Sequence, residues 1–545
     1  MAAPGPLYCL TMFSVLALAA AGKHVAVFGG MMRSHHLTVV PLIEGLLEHG
    51  HDVSFVVPNT REHRSYFPKG VGSATMVFLG TEDWAFDTLF SGPEYDFKNL
   101  PWYKKPLLFA KVLSTYRSTL DVPMFSMHDE LGPWLARAGV DAVLLHAASF
   151  GSVPVVAASG IPWVSYFSVP PLPLFLEHDN DRVCRYPNYM KPPPVTELKQ
   201  SLVARVKNHM VCRFLQTYMV FADREMRALF DARGMSMGDG LLQMITSAPS
   251  LMLLGGPPLS HNVELKENIH VLGVIDRPQP DVIPAGMLGW LDAARDAGAP
   301  VVYVSMGTKY ELHENTCTRL SALLDEMATS LGVRFLWSLR ASQQDTLRAY
   351  LPAQGELVRI DKFTPQPEVL QHAAVKIFLS HCGWGGVTDT IRAGIPVLGY
   401  PGMQDQFTNA RMLQEAGAGV ILEEDFSNLV ESTKLLLHDP TFAAASKAAG
   451  ETLRTYGGLP RALEIIEAAA EGTYVKPDAE VHAKMNEVDP FFLEPQDLVQ
   501  WLSLAICVGA ISLTLLACCC VGRCFCGRCC KRGSAAAEDR AKKRQ

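Results

Sequence analysis

Short apolar strands alternate with helical stretches in two separate blocks of this chain, and such alternation builds parallel sheets covered by helices. In the first block, His24–Phe28 (HVAVF) reads as a strand, and Gly29-Gly30 as the turn after it. A helical pattern follows from about Leu37 to His49, then Gly50 and a second strand at Val53–Val57 (VSFVV). Asp141–Leu145 (DAVLL) and Trp163–Phe167 (WVSYF) continue the series, and Val195–Ala232 reads as one helix. The second block starts at Val301–Ser305 (VVYVS) and runs through Arg334–Trp337, Ile377–Ser380 and Val397–Tyr400. Between the blocks lies a proline-rich linker, Asp276–Pro284 (DRPQPDVIP). At 545 residues the chain exceeds what one core sustains. The expectation is an α/β protein of two parallel-sheet domains, with ligand binding at the carboxyl ends of the strands. A net charge of −7 argues against nucleic acid as a partner of the whole chain.

The two ends are different in kind. Residues 1–22 carry no Asp, Glu, Lys or Arg, and an apolar run from Leu7 ends in Ala19-Ala20-Ala21-Gly22, the pattern of a signal peptide. Val499–Val521 is 23 residues without a charge, long enough to span a bilayer. The tail beyond it holds eight Lys/Arg against Glu538 and Asp539, which places that tail on the cytosolic side. Lys542 and Lys543 resemble the dilysine address of endoplasmic-reticulum membrane proteins. The expectation is a type I protein of that membrane with its body in the lumen. Seven cysteines between Cys518 and Cys530 are candidates for palmitoylation. In the body only Cys184, Cys212, Cys317 and Cys382 remain, too few and too scattered for a disulfide framework. No dense cluster of His, Cys, Asp or Glu implies a metal.

One block carries the chemistry: Phe363–Val420, FTPQPEVLQHAAVKIFLSHCGWGGVTDTIRAGIPVLGYPGMQDQFTNARMLQEAGAGV. A strand runs into His381-Cys-Gly-Trp-Gly-Gly and a helix begins near Val387. A glycine-bearing turn at a helix N-terminus aims backbone N–H groups and the helix dipole at an anion. At its spacing, the block resembles the donor-binding signature of the inverting UDP-glycosyltransferases. The resemblance implies the GT-B fold, two Rossmann-like domains facing a cleft, here with one C-terminal transmembrane helix. It divides the chain as 1–22 signal peptide, 23–275 acceptor-binding domain, 276–284 linker, 285–450 UDP-sugar-binding domain, 451–498 C-terminal helices and membrane approach, 499–521 span and 522–545 cytosolic tail.

By resemblance, Phe363 takes the place of a tryptophan stacked on uracil, and Gln366 meets base and ribose. His381 contacts the diphosphate, with Gly383, Gly385 and Gly386 as the phosphate turn. Asp389 stands where a glutamate holds the ribose, Asp405 and Gln406 meet the sugar, and Ser305, Gly307 and Thr308 form a second phosphate loop. The family's base is a histidine on the loop after the first strand. Set back from Gly50-His51, that position is His35, with His36 beside it as the competing choice. Its orienting aspartate is replaced by His146, which could accept a hydrogen bond from His35 but adds no negative charge.

The function implied is transfer of a hexose, glucose or glucuronate, from a UDP-sugar to a hydroxyl of a small lipophilic acceptor, without a cofactor. The alternative is a weak or inactive membrane-bound homologue that binds UDP-sugars or other ligands. Homo-oligomerisation is left open. Trp84, Phe86, Phe90, Trp102, Tyr103, Phe109, Phe125 and Trp134 fit an acceptor cleft or an ordinary core.

Overall fold

The computed structural model describes residues 22–30, 33–80, 84, 121, 125–168, 182–188, 192–256, 261–307, 312–402 and 405–509. The expected signal peptide (bar Gly22), Thr308, the cytosolic tail and residues 510–521 of the expected span lie outside them. So do Phe86, Phe90, Trp102, Tyr103 and Phe109.

Two all-parallel sheets form the body. The first runs β3-β2-β1-β4-β5-β6-β7, from β1 (His24–Phe28), β2 (Asp52–Pro58), β3 (Thr75–Leu79), β4 (Ala142–His146), β5 (Trp163–Phe167), β6 (Leu251–Leu254) and β7 (Ile269–Gly273). The second runs β10-β9-β8-β11-β12-β13, from β8 (Val301–Ser305), β9 (Arg334–Ser338), β10 (Val358–Asp361), β11 (Val375–Ser380), β12 (Val397–Gly399) and β13 (Gly419–Ile421). Their central strands are near-continuous runs of buried Val, Ile, Leu and Phe, as strands covered on both faces must be. In each sheet the order reverses once, between β1 and β4 and between β8 and β11, leaving a crevice at the carboxyl edge. This two-sheet arrangement is the GT-B architecture the sequence implied.

Helix α1 (Arg33–Glu48) begins earlier than its periodicity predicts, and this places His35 in its first turn rather than on the preceding loop. The expected helix Val195–Ala232 breaks at Ser201. Its extended backbone (φ −120°, ψ 113°) ends Val195–Gln200, and its hydroxyl accepts from the Ala204 N–H to start α2 (Leu202–Asp231). Cys184 and Cys212 form a disulfide between a short turn and α2, so the body is cross-linked although no framework was expected. Phe125 and Trp84 are core residues, and Trp134 packs edge-on against Phe28.

After the second sheet the chain returns to the first. Helix α7 (Gly458–Ala470) packs beside α1 under the first sheet. There Ala462, Leu463, Ile465, Ile466 and Ala469 join Val39, Leu42, Ile43 and Leu46 in one core. Gly45 permits the contact, since a Cβ there would lie 3.0 Å from the Leu463 side chain. Beyond it, residues 497–509 are helical and expose Leu498, Trp501, Leu504, Ile506 and Val508. Among the described residues no helix is long and apolar enough to cross a membrane. Truncating a buried isoleucine costs about 2–5 kcal/mol. Ile466→Ala is therefore expected to speed hydrogen exchange in β1 and α1 of the full chain, although residue 466 lies far from them in sequence; unchanged protection there would contradict this packing.

Candidate functional site

The strand–turn–helix element at the second switch point is built by local strain and long-range support. Cys382, directly after β11 and His381, has φ 61°, a left-handed conformation costing a non-glycine residue about 1–2 kcal/mol. Three hydrogen bonds hold it: the Cys382 N–H donates to Ser380 Oγ (3.0 Å), the Tyr400 N–H to the Ser380 carbonyl (2.7 Å), and Asn409 Nδ2 to the Cys382 carbonyl (2.9 Å). Gly383 then caps helix α4 (Trp384–Ala393), whose first ladder bond runs from Val387 N–H to the Gly383 carbonyl. The N–H groups of the first turn point outward as an anion site.

His381 sits over this turn. A Cβ on Gly307 or Gly383 would fall 2.4 Å or 2.5 Å from its Nε2, so both glycines are required for the ring to lie there. Gly307 follows β8 and has φ 73°, so the two loops meet across the switch point as the sequence implied. Burial pushes the His381 imidazole down to about 4, against a smaller opposing pull from the Ser305 backbone, and leaves it neutral at physiological pH. Gly385 is exposed with open space around it, whereas Gly386 is buried and turned toward Phe378 and Ser380 of β11. Gly386 therefore packs the helix on the sheet, and its side-chain face is not part of the cradle expected for it.

Of the other residues that the resemblance assigned to the donor, Gln366 pairs with Asp389, and Asp405 pairs with Asn409. Gln366 opens the short helix α3 (Gln366–Leu370), and its Nε2 donates to Asp389 Oδ2 on α4 (2.9 Å). Phe363 stands 61% exposed just before it, its ring face available for stacking. Asp405 caps α5 (Gln406–Glu415) and accepts from Asn409 Nδ2 at 2.8 Å, the same amide that holds the Cys382 carbonyl. Gln406 is buried, and its Oε1 accepts from the Gly402 N–H (2.9 Å). Burial raises the Asp389 and Asp405 carboxyls to about 6 each, against the hydrogen bonds from Gln366 and Asn409. Asn409, fully buried, was not foreseen from sequence. Its signal was available in the spacing Asp405-x-x-x-Asn409, one helical turn.

At the first switch point His35 and His146 meet, but not as expected. Their rings stack face to face, centroids 4.6 Å apart and planes 13° apart. The Ala148 N–H donates to His146 Nδ1 (3.1 Å), so the ring proton sits on Nε2, which donates to Ser168 Oγ (3.0 Å). Both nitrogens of His146 are thereby committed, and the hydrogen bond to His35 anticipated from sequence is replaced by ring stacking. His36 is fully buried against Phe55, His63, Tyr66 and Phe67 and so stands apart from the cleft. Gly29 and Gly30 are glycines because a Cβ on either would strike the ring of His36 or His35.

The two edges are tied together. The Trp384 indole N–H at the start of α4 donates to the Leu254 carbonyl at the end of β6 (2.9 Å). Gly255 (φ 95°) makes room, since a Cβ there would lie 2.7 Å from the indole nitrogen. Helix α6 (Pro440–Arg454) continues the contact from α4 to β7 and leads into α7. Away from the cleft, His49, His51 and Glu467 converge. There the Lys23 N–H donates to His51 Nδ1, so His51 Nε2 carries the proton and donates to Glu467, a hydrogen-bonded latch between the turn after α1 and α7.

With this geometry in place, the comparisons decide the family. The family described as "UDP-glucoronosyl and UDP-glucosyl transferase" matches residues 99–443, more than half of the chain. The chain belongs to this family. Among curated relatives, UDP-glycosyltransferase 90A1 of Arabidopsis thaliana is 33% identical over 159 residues, covering 28% of this chain and 32% of the relative. Cyanidin-3-O-glucoside 2-O-glucuronosyltransferase of Bellis perennis is 32% identical over 140 residues, 26% of this chain and 30% of its own. The chain thus spans about a third of the length of the curated relatives it matches. The solved structure of UDP-glucose: anthocyanidin 3-O-glucosyltransferase in complex with UDP shares the fold at a TM-score of 0.51 and 17% identity, covering 83% of this chain and 99% of that one.

The turn after β11 depends on Asn409. Asn409→Leu removes the amide and strands a carbonyl and a carboxylate, each at about 1–3 kcal/mol. We expect a lowered thermal midpoint and faster exchange at the Cys382 and Gly383 amides. Unchanged exchange would show that the turn holds itself.

Proposed function

We propose that the protein transfers a hexosyl group, glucose or glucuronate, from a UDP-sugar to a hydroxyl of a small lipophilic acceptor with inversion at the anomeric carbon. The observation that carries this reading is the neutral His381 seated between two obligatory glycines over the α4 N-terminus, an anion site shaped for a diphosphate. The resemblance assigns Phe363 and Gln366 to base and ribose and Asp405 to the sugar; in support, Gln366 is bonded to Asp389 on α4 and Asp405 is joined through Asn409 to the Cys382 carbonyl. Across the cleft His35 takes the acceptor proton as the acceptor oxygen attacks the anomeric carbon. The bond to the β-phosphate oxygen breaks, and UDP leaves with the electron pair. His381 and the backbone N–H groups of the turn stabilise the departing charge, an effect worth about 10²–10³-fold in rate per well-placed donor. Family membership favours this over the binding-protein alternative.

We further propose that the body lies in the lumen of the endoplasmic reticulum, anchored by the segment that begins in the exposed apolar helical residues 497–509. The Cys184–Cys212 disulfide supports an oxidising compartment.

Two measurements test the reading. UDP release is assayed with UDP-glucose, UDP-glucuronate and UDP-galactose against a panel of lipophilic acceptors, in wild type and His381→Ala. The variant is expected to lose about 10²-fold or more in kcat, and undiminished turnover would remove His381 from the donor site. For pH, burial keeps Asp389 and Asp405 protonated up to about 6. Only the ionised forms are full acceptors for sugar hydroxyls. The donor KM is therefore expected to be flat from pH 7 to 8 and to rise as pH falls through about 6.

A further inference from the structure

Tyr303 lies in the middle of β8, 1% exposed, with its ring centroid 5.1 Å from that of Phe378 on β11. A buried tyrosine needs a partner for its hydroxyl, and this one has two, both on one segment. Tyr303 Oη lies 2.5 Å from Thr364 Oγ1 and 3.5 Å from Gln366 Oε1. An amide oxygen only accepts, so the phenol donates to Gln366, and the Thr364 hydroxyl donates to the phenol. Burial pushes the phenol up to about 12, so it keeps that proton at physiological pH. Thr364 is itself buried. β8 thereby fastens the stretch between β10 and α3 that carries Phe363 and leads into Gln366.

The contact also decides which way the Gln366 amide faces. With Oε1 held toward Tyr303, Nε2 donates to Asp389 Oδ2 on α4 (2.9 Å). Turned over, the amide would set its oxygen against that carboxylate. Gln366 thus occupies one oxygen of Asp389, and among the described residues no hydrogen bond is made to the other, Oδ1. Oδ1 can accept a hydroxyl of a ligand. Asp389 lies on the helix whose N-terminal N–H groups suit a diphosphate. We propose that Tyr303 is a positioning residue for nucleotide recognition: through Thr364 and Gln366 it sets Asp389 to hold one ribose hydroxyl, and the site thereby prefers ribonucleotides to deoxyribonucleotides. This rests on the donor reading above and deepens it. Tyr303 itself touches no substrate and acts through the amide that stands between them.

Equilibrium binding of UDP, 2′-deoxy-UDP and 3′-deoxy-UDP to the full chain in detergent micelles tests this, with Tyr303→Phe, Thr364→Val and His381→Ala beside the wild type. Tyr303→Phe keeps the ring and its packing and removes only the hydroxyl. A hydrogen bond to a charged group contributes about tenfold or more in affinity. The wild type is therefore expected to bind UDP at least about tenfold tighter than one of the two deoxy analogues. In Tyr303→Phe that preference is expected to shrink to about threefold or less. Its UDP-sugar KM rises about five- to tenfold with kcat within about twofold of wild type, the split of an interaction that ground and transition states share. Thr364→Val moves the preference in the same direction, and it decides the matter if Tyr303→Phe does not fold. His381→Ala weakens all three nucleotides alike and leaves the preference unchanged, because the diphosphate is common to them. A wild type that binds the three alike, or a folded variant of Tyr303 or Thr364 that keeps the full preference, overturns the proposal and leaves the donor reading standing. A wild type that binds no UDP overturns both.

Discussion

A parallel sheet whose strand order reverses cannot close its carboxyl edge, because the connections on the two sides of the reversal leave in opposite directions. Both sheets of this chain reverse once, at β1/β4 and β8/β11, and every residue of chemical interest is delivered to those two edges. His35 follows β1 and His146 ends β4. Gly307 follows β8, and His381 follows β11. Hydrogen bonds from the Trp384 indole to the Leu254 carbonyl, from the Val195 N–H to Glu415 and from Arg411 to the Pro192 carbonyl, with the core around them, join the two halves.

Burial then sets the chemistry of the groups gathered there. His35 and His381 are driven toward neutrality from above, Asp389 and Asp405 toward neutrality from below, in each case because the charged form loses water. The carboxylates are partly compensated by the Gln366 and Asn409 amides. His381 is partly compensated by the Ser305 backbone. Among the described residues the His35 ring has the stacked His146 and the adjacent His36 beside it, and no hydrogen bond that compensates its burial, and that asymmetry distinguishes the first crevice from the second. Neutral imidazole at His381 can still donate one hydrogen bond to a diphosphate, so the loss of charge there does not disable it.

Most of the second crevice was legible because its strand, turn and helix are adjacent in sequence. His381, Gly383, Asp389 and Asp405, named by resemblance, lie on that run and at the start of the helix after it. What was not legible depended on distant partners. Asn409 is a position on a helix until Cys382 is brought beside it. Gly386 counts as part of a glycine turn until the helix is seen to start at Trp384. The break at Ser201 came from a hydroxyl that competes with the backbone for the Ala204 N–H. The Cys184–Cys212 bond required a helix and a turn to be packed together first.

By itself, the sequence determined the α/β class, the two blocks, the glycine turn between β11 and α4, and which residues stand at the β1/β4 crevice. These follow from hydrophobic period, glycine placement and covalent order, all of which are local. Only the tertiary structure decided that α7 completes the first domain, and that His146 meets His35 as a stacked ring rather than as a hydrogen-bond acceptor. The reason is physical. A residue's type sets which bonds it can make, but which of them it makes is settled by the competing partners that packing brings within 3 Å or so. For His146 those partners were the Ala148 amide and the Ser168 hydroxyl.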